Sequence, residues 1–336
     1  VESFVLKSLH IVVPDLFSSL VADKRVTADL SLPVLNKCLA RATRQQLPAQ
    51  NLADYLGVAF GVKQGELAPI LATSDGLTLG DGFWFRADPV HLNVQPSRMI
   101  VQTNVQPTAT DAAQICHSLN AHFEQDGWQF FAPHPTRWYL HVPEMPDLQT
   151  HAIFEVDGCD ARQFQPSGKA ALRWNAQLTE LQMLLNSHPV NLQIEARGGL
   201  SINSVWWWGG GRAAAASGSQ YSQVAGDGEM LSALAKWSAV PQLNFADTLS
   251  QGNSLWVWDG LALAARRGDT ESWRQSLLEF ERQCLALAWA ALARGEIDQL
   301  RLDVLQNNAL IRFELSRWSV YKYWRQVRPL FQFVAR

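Results

Sequence analysis

The 336-residue chain holds 47% hydrophobic and 18% charged residues at a formal net charge of −3, a globular profile long enough for two domains. That balance argues against a general binder of nucleic acid or anionic membranes. Its four scattered cysteines (Cys38, Cys116, Cys159, Cys284) form no Cys-x-x-Cys pair, which excludes a zinc knuckle or disulfide framework and fits a reducing compartment. With no uncharged apolar run of membrane-spanning length and no leader-like pattern in the first residues, a cytoplasmic location is expected.

Leu9–Val13 predicts a buried strand that stops at Pro14, with Asp15 at its carboxyl end. In open α/β sheets that end is where ligands sit, so Asp15 is either a site residue or a cap on the next helix. Apolar spacing predicts a helix over Leu32–Thr43, opened by Pro33, and a second over Asn51–Phe60. Thr73–Gly82 is dense in turn formers, and Phe83–Arg86, Val90–Val94 and Met99–Thr103 read as short strands. Asp111–Glu124 predicts a helix capped by Asp111. Strands follow near Trp128–Ala132 and Trp138–Val142, then a helix over Ala171–Leu185.

Val205–Trp208 reads as a buried strand, and Gly209–Gly211 directly after it as a sharp turn that lets backbone approach a ligand. Beyond lie a helix over Gly228–Ala239, a strand over Ser254–Trp258 closing on Asp259, and a long helix over Glu271–Ala293 stopped by Gly295. Leu300–Leu305 and Ala309–Glu314 predict a hairpin turning at Gln306–Asn308. A last helix is expected over Trp318–Val327. Its Arg317, Lys322, Arg325 and Arg328 interleave with Trp318, Tyr321, Tyr323 and Trp324, a composition that also suits single-stranded nucleic acid. Packing of the aromatic face on a sheet, with the charges in water, is the preferred reading, and nucleic acid is not an expected partner. Strands alternate with helices at both ends of the chain but not in the middle, which predicts an α/β core interrupted by an α+β module.

Three stretches carry a family resemblance: HPVN at His188–Asn191 leading into SINSVWWWGGG, LTLGDGFWFRAD at Leu77–Asp88, and RWYLHV at Arg137–Val142. With the order of elements, they make the chain resemble the archaeal-type cofactor-independent phosphoglycerate mutases of the alkaline-phosphatase-like superfamily, and among these the bacterial RpfE-type regulatory proteins. The resemblance implies an alkaline-phosphatase-like sheet core with helices on both faces over residues 1–75 and 199–336. Residues 76–198 would form the inserted α+β domain with its connecting helix. It also implies two divalent metals and a nucleophilic serine that together clamp a transferring phosphoryl group.

The residues at those positions depart from that chemistry. Asp15 matches the first metal carboxylate, but Gln50–Asn51 stand where a Ser-Asp pair is expected, and an amide forms no phosphoryl ester. DGLALAARRGDTE, 259–271, has no histidine and places Arg266 and Arg267 where cations would sit. A Mg²⁺ or Mn²⁺ site, if the enzyme reading holds, falls to Asp15, Asp259 and Asp269. The expectation is a protein without cofactor: a non-catalytic homologue with a regulatory or binding role. The alternative is a metal-dependent phosphoglycerate mutase or phosphatase with a rewired site. A small anionic ligand is expected in the inter-domain cleft, at Arg86, Arg137, Gly209, Gly210, Gly211 and Arg212. The competing reading pairs Arg86 and Arg137 with local carboxylates. The expected partner is an unidentified protein or a small phosphorylated ligand, not a membrane.

Overall fold

A computed structural model describes residues 7–27, 29–63, 65–216, 218–249, 252–306 and 308–334. Its strands in chain order are β1 (Ser8–Pro14), β2 (Thr43–Leu47), β3 (Phe83–Val94), β4 (Met99–Gln102), β5 (Gln129–His134), β6 (Arg137–Val142), β7 (Ser204–Gly211), β8 (Gln223–Ala225), β9 (Ser254–Val257), β10 (Gln299–Gln306) and β11 (Ala309–Ser316). They form a six-stranded sheet, β2-β11-β10-β1-β9-β8, and a second sheet, β4-β3-β6-β5, with β7 on β3. Each sheet belongs to its own compact unit. The first comprises Val1–Gly61 with Ser217–Arg336, the second Val62–Ala216.

In the first unit, β1, β8, β9 and β10 run parallel, and β11 and β2 add an antiparallel edge. Leu9, Ile11 and Val13 of β1 join Leu300, Leu302 and Val304 of β10 on one face, above a core that includes Trp256, Trp273 and Phe280. Strand periodicity sends the intervening residues, His10, Arg301 and Asp303, to the other face. The predicted long helix is present as Thr270–Glu279 and Ala286–Arg294, joined through a π-helical stretch at Phe280–Leu285 and ended by Gly295 in the left-handed region. That stretch carries Glu281, whose carboxylate accepts from Val34 N–H (2.6 Å) and Leu35 N–H (2.9 Å). The Pro33–Arg41 helix has no side-chain cap of its own, so Glu281 caps it from a distance.

The predicted helix over Trp318–Val327 does not form. Arg317–Tyr321 is a single 3₁₀ stretch followed by irregular chain. Tertiary bonds compete with helix formation here: Arg41 Nη1 donates to the Val320 carbonyl (2.5 Å), and Lys322 Nζ donates to the Arg41 carbonyl (3.3 Å). The β10–β11 hairpin forms as expected, although Asn307 of its turn lies outside the described residues.

In the second unit, two expected strands are one. β3 runs unbroken from Phe83 to Val94 through Pro89. Proline is tolerated because β6 pairs only up to Arg86 and β4 only from His91, so at Pro89 the strand is paired through β7 alone. The helix expected at Asp111 spans Ala109–His122, and its cap is Thr108, with Asp111 completing a capping box three residues later. The unit's boundaries also differ from those expected, 75/76 and 198/199. The Ala68–Ser74 helix and the tryptophan strand β7 both belong here, because β7 finds its partner in β3. Among the described residues no helix is long and apolar enough to cross a membrane.

Candidate functional site

The carboxyl edge of the parallel strands carries the first unit's candidate residues. Asp15 follows β1 and Asp259 lies two residues past β9, the strand next to β1. Asp15 has φ +55°, which a non-glycine residue adopts only under local constraint. It is held there by its N–H, which donates to the Leu305 carbonyl at the end of β10 (2.9 Å). Burial pushes the Asp15 carboxyl up, opposed by the Arg266 guanidinium, whose Nη1 lies 3.9 Å from Asp15 Oδ2. Burial also raises the Asp259 carboxyl, and the neighbouring charge of Asp227 adds to the effect.

Asp259 makes no capping bond to its own helix, Gly260–Arg267. Its carboxylate instead lies against Gly228, where a Cβ would stand 2.7 Å from Oδ2. Asp269 has a different job: it is exposed and caps the Thr270–Glu279 helix by accepting from Ser272 N–H (3.1 Å); the Ser272 hydroxyl, and after it that N–H, hold its carboxyl low. Among the described residues no three His, Cys, Asp or Glu side chains group as a metal site. Asn51 also has local work. Its Oδ1 accepts from Asp54 N–H (2.8 Å) and caps the Leu52–Ala59 helix.

The sheet face opposite the apolar core carries a polar cluster that sequence reading missed. Register places His10 of β1 beside Arg301 of β10, and Asp303 of β10 beside Arg312 of β11. Asp303 is fully buried. It accepts two bonds from Arg312 (2.8 and 2.9 Å) and one from Tyr55 Oη (2.8 Å). His10 Nδ1 lies 2.8 Å from both Arg301 Nη2 and Tyr221 Oη. A guanidinium can only donate, so Nδ1 is the unprotonated acceptor. Burial, reinforced by Arg301, accordingly pushes the His10 pKa down to about 4. The available signal was a histidine, an arginine and an aspartate alternating into two otherwise apolar strands. It marks a face but not the helix and loop that supply Tyr55 and Tyr221.

The His10 shift has a measurable consequence. Between pH 6.5, the unperturbed value, and about 4 the unfolded chain binds the proton and the folded chain does not. Stability therefore falls as pH falls through that window, by about 3 kcal/mol in all, and is unaffected by His10 above it. Denaturant midpoints across this range, compared between the wild type and His10→Gln, isolate the effect. Parallel pH profiles would refute the assignment.

In the second unit Arg86 is buried and donates to Asp88 Oδ1 through Nε (2.9 Å) and Nη2 (2.7 Å). Trp208 Nε1 donates to the other Asp88 oxygen (2.7 Å), and the guanidinium also lies over the Tyr139 and Trp208 rings. Arg137 makes a two-pronged pair with Asp75 (2.9 Å each), and Tyr139 Oη donates to the same carboxylate (2.8 Å). The two arginines are thus linked through Tyr139 and Asp75, each with a carboxylate of its own.

The glycines are not a turn after the strand but part of β7 itself. β7 has one residue more than β3 between the pairs Arg86–Trp208 and Trp84–Gly211, a bulge formed with Gly209 at φ +68°. A Cβ on Gly210 would come within 2.4 Å of the Phe85 ring, and one on Gly211 within 2.8 Å of Glu66 Cβ. Close packing accounts for both. Arg212 is exposed just past the strand, near the Trp84 level of β3, while Arg137 lies toward the Asp88 level. That is a separation of roughly 15 Å along the sheet at strand rise. Of the six residues expected to share one ligand, Arg137 and Arg212 are thereby set apart along the sheet.

No protein-family model and no curated protein sequence matches the chain. Solved structures do. The chain is similar to the PH0037 protein from Pyrococcus horikoshii, with a TM-score of 0.53 and 10% identity over 93% of this chain and 88% of that one. It is also similar to the cofactor-independent phosphoglycerate mutase from Thermoplasma acidophilum DSM 1728, with a TM-score of 0.45 and 12% identity over 97% and 94%. The likeness to PH0037 is one of fold: a mixed α/β architecture shared over nearly the whole chain.

Proposed function

We propose that the chain is a phosphoglycerate-mutase-like protein, with an alkaline-phosphatase-like core and an inserted α+β domain, that acts by binding in a regulatory role and not by phosphoryl transfer. The observation that carries this reading is the Arg266 guanidinium beside the Asp15 carboxylate. A fixed cation at the position of the first metal ligand opposes Mg²⁺ or Mn²⁺ there. Asn51, engaged as a helix cap, supports the same reading. The rival is a metal-dependent mutase or phosphatase built on Asp15 and Asp259, two half-buried carboxyls with raised pKa at adjacent strand ends.

Titration of the purified protein with Mn²⁺, followed by calorimetry, is expected to show binding no tighter than about 1 mM. Interconversion of phosphoglycerates in Mn²⁺ or Mg²⁺ should stay at background. Arg266→Ala should bind Mn²⁺ more tightly than the wild type, since it removes the opposing charge. Stoichiometric metal together with turnover abolished in Asp15→Ala would sink the binding reading. A small phosphorylated ligand remains part of the proposal. It falls to half-buried Arg137, where it would compete with Asp75, because Arg86 is sealed inside the unit.

A further inference from the structure

The chain has fourteen tryptophans and five tyrosines. Twelve of the tryptophans and three of the tyrosines are buried or half-buried. The remaining four rings stand together in seven residues: Trp318 at 68% exposure, Tyr321 at 55%, Tyr323 at 72% and Trp324 at 77%. Large aromatic side chains are the costliest groups to leave in water, so four on one short segment mark a binding surface. The segment is also anchored. Arg41 bonds the Val320 carbonyl from beneath and stacks on the Tyr323 ring at 4.9 Å, leaving that side chain largely open to solvent.

Charge identifies the occupant. Arg317, Lys322, Arg325 and Arg328 fall among these rings, and no Asp or Glu lies between residues 317 and 328, in a chain whose net charge is −3. We propose that the strip Arg317–Arg328 binds single-stranded nucleic acid, with bases stacked on the four rings and phosphates paired to the four cations. Aromatic faces accept any base, so recognition is of the single strand and not of a sequence. Net charge and the burial of these rings under a helix both argue against nucleic acid in the sequence; the exposed rings remove the second ground, and the local run of cations answers the first.

The test is fluorescence anisotropy of a labelled oligothymidylate of roughly twenty nucleotides, with its duplex as control. Binding should be tightest at low salt, weaken with a log–log slope near −3 for four phosphate contacts, and quench tryptophan emission. Trp318→Ala with Trp324→Ala should weaken binding at least about tenfold, and Arg325→Glu with Arg328→Glu should flatten the salt slope. Trp318, Trp324 and Arg325 are exposed and Arg328 is half-buried, so both variants should unfold near the wild-type midpoint, which is checked in parallel. Four results would each overturn the proposal: no binding at low salt; binding unchanged in both variants; preference for the duplex; or capture by anionic phosphatidylserine vesicles, or self-association through this strip, with no oligonucleotide affinity.

Discussion

Replacing Asp303 by alanine is expected to destabilise the first unit by about 3–5 kcal/mol, the range for breaking a buried ion pair on one side. Asp303 is fully buried and is the one carboxylate bonded to Arg312 and Tyr55 in this cluster, with Arg301 Nε a further 3.7 Å away. Its removal leaves two guanidinium groups facing each other across β10 and β11 and a buried tyrosine hydroxyl without its acceptor. The unpaired charges, more than the lost bonds, set the size of the effect. Asp303→Asn keeps the shape and one acceptor and should fall between. Urea midpoints measure all three proteins, and a loss below about 1 kcal/mol for Asp303→Ala would mean that water reaches the cluster and screens it.

Asp88→Ala should cost the second unit a similar 3–5 kcal/mol or so, for the same reason and with a different readout. Arg86 and Asp88 are both nearly inaccessible, and Asp88 also accepts from Trp208 Nε1. The substitution strands a guanidinium between two aromatic rings and orphans an indole N–H. Trp208 emission should shift as its polar partner disappears. Replacing both partners by apolar residues of like volume, Arg86→Met with Asp88→Leu, should recover most of the loss, because no unpaired charge then remains. If the double variant is no more stable than Asp88→Ala, the pair is not what holds this site.

Those two residues also show where sequence reading stops. The sequence leaves Arg86 open to a ligand phosphate or a local carboxylate, and the structure gives it a carboxylate two residues away on the same strand. That geometry exists only because β3 continues through Pro89, which puts residues 86 and 88 on one face. A proline in a strand-like run reads locally as an end. Whether it is one depends on which neighbours pair there, and β6 and β7 are distant in sequence from Pro89. Likewise Asp15 and Asp259 stand at strand ends by local pattern, and the resemblance puts Arg266 near the metal position, but its 3.9 Å approach to Asp15 rests on the parallel pairing of β1 and β9.

What the sequence by itself determined is what repeats along one element: the apolar run of β1, the helices over Leu52–Ala59 and Ala171–Asn186, the hairpin β10–β11 and the alternation that makes the fold α/β. These rest on side-chain period and on hydrogen bonds between near neighbours, which a short window contains. Only the tertiary structure decided that the glycines of SVWWWGGG form a bulge packed on Phe85 and Glu66, that His10, Tyr55, Tyr221 and Asp303 meet, and that Trp318–Trp324 stay in water. Each of those outcomes depends on groups tens to hundreds of residues away competing for the same donors, acceptors or space. No local propensity encodes that competition.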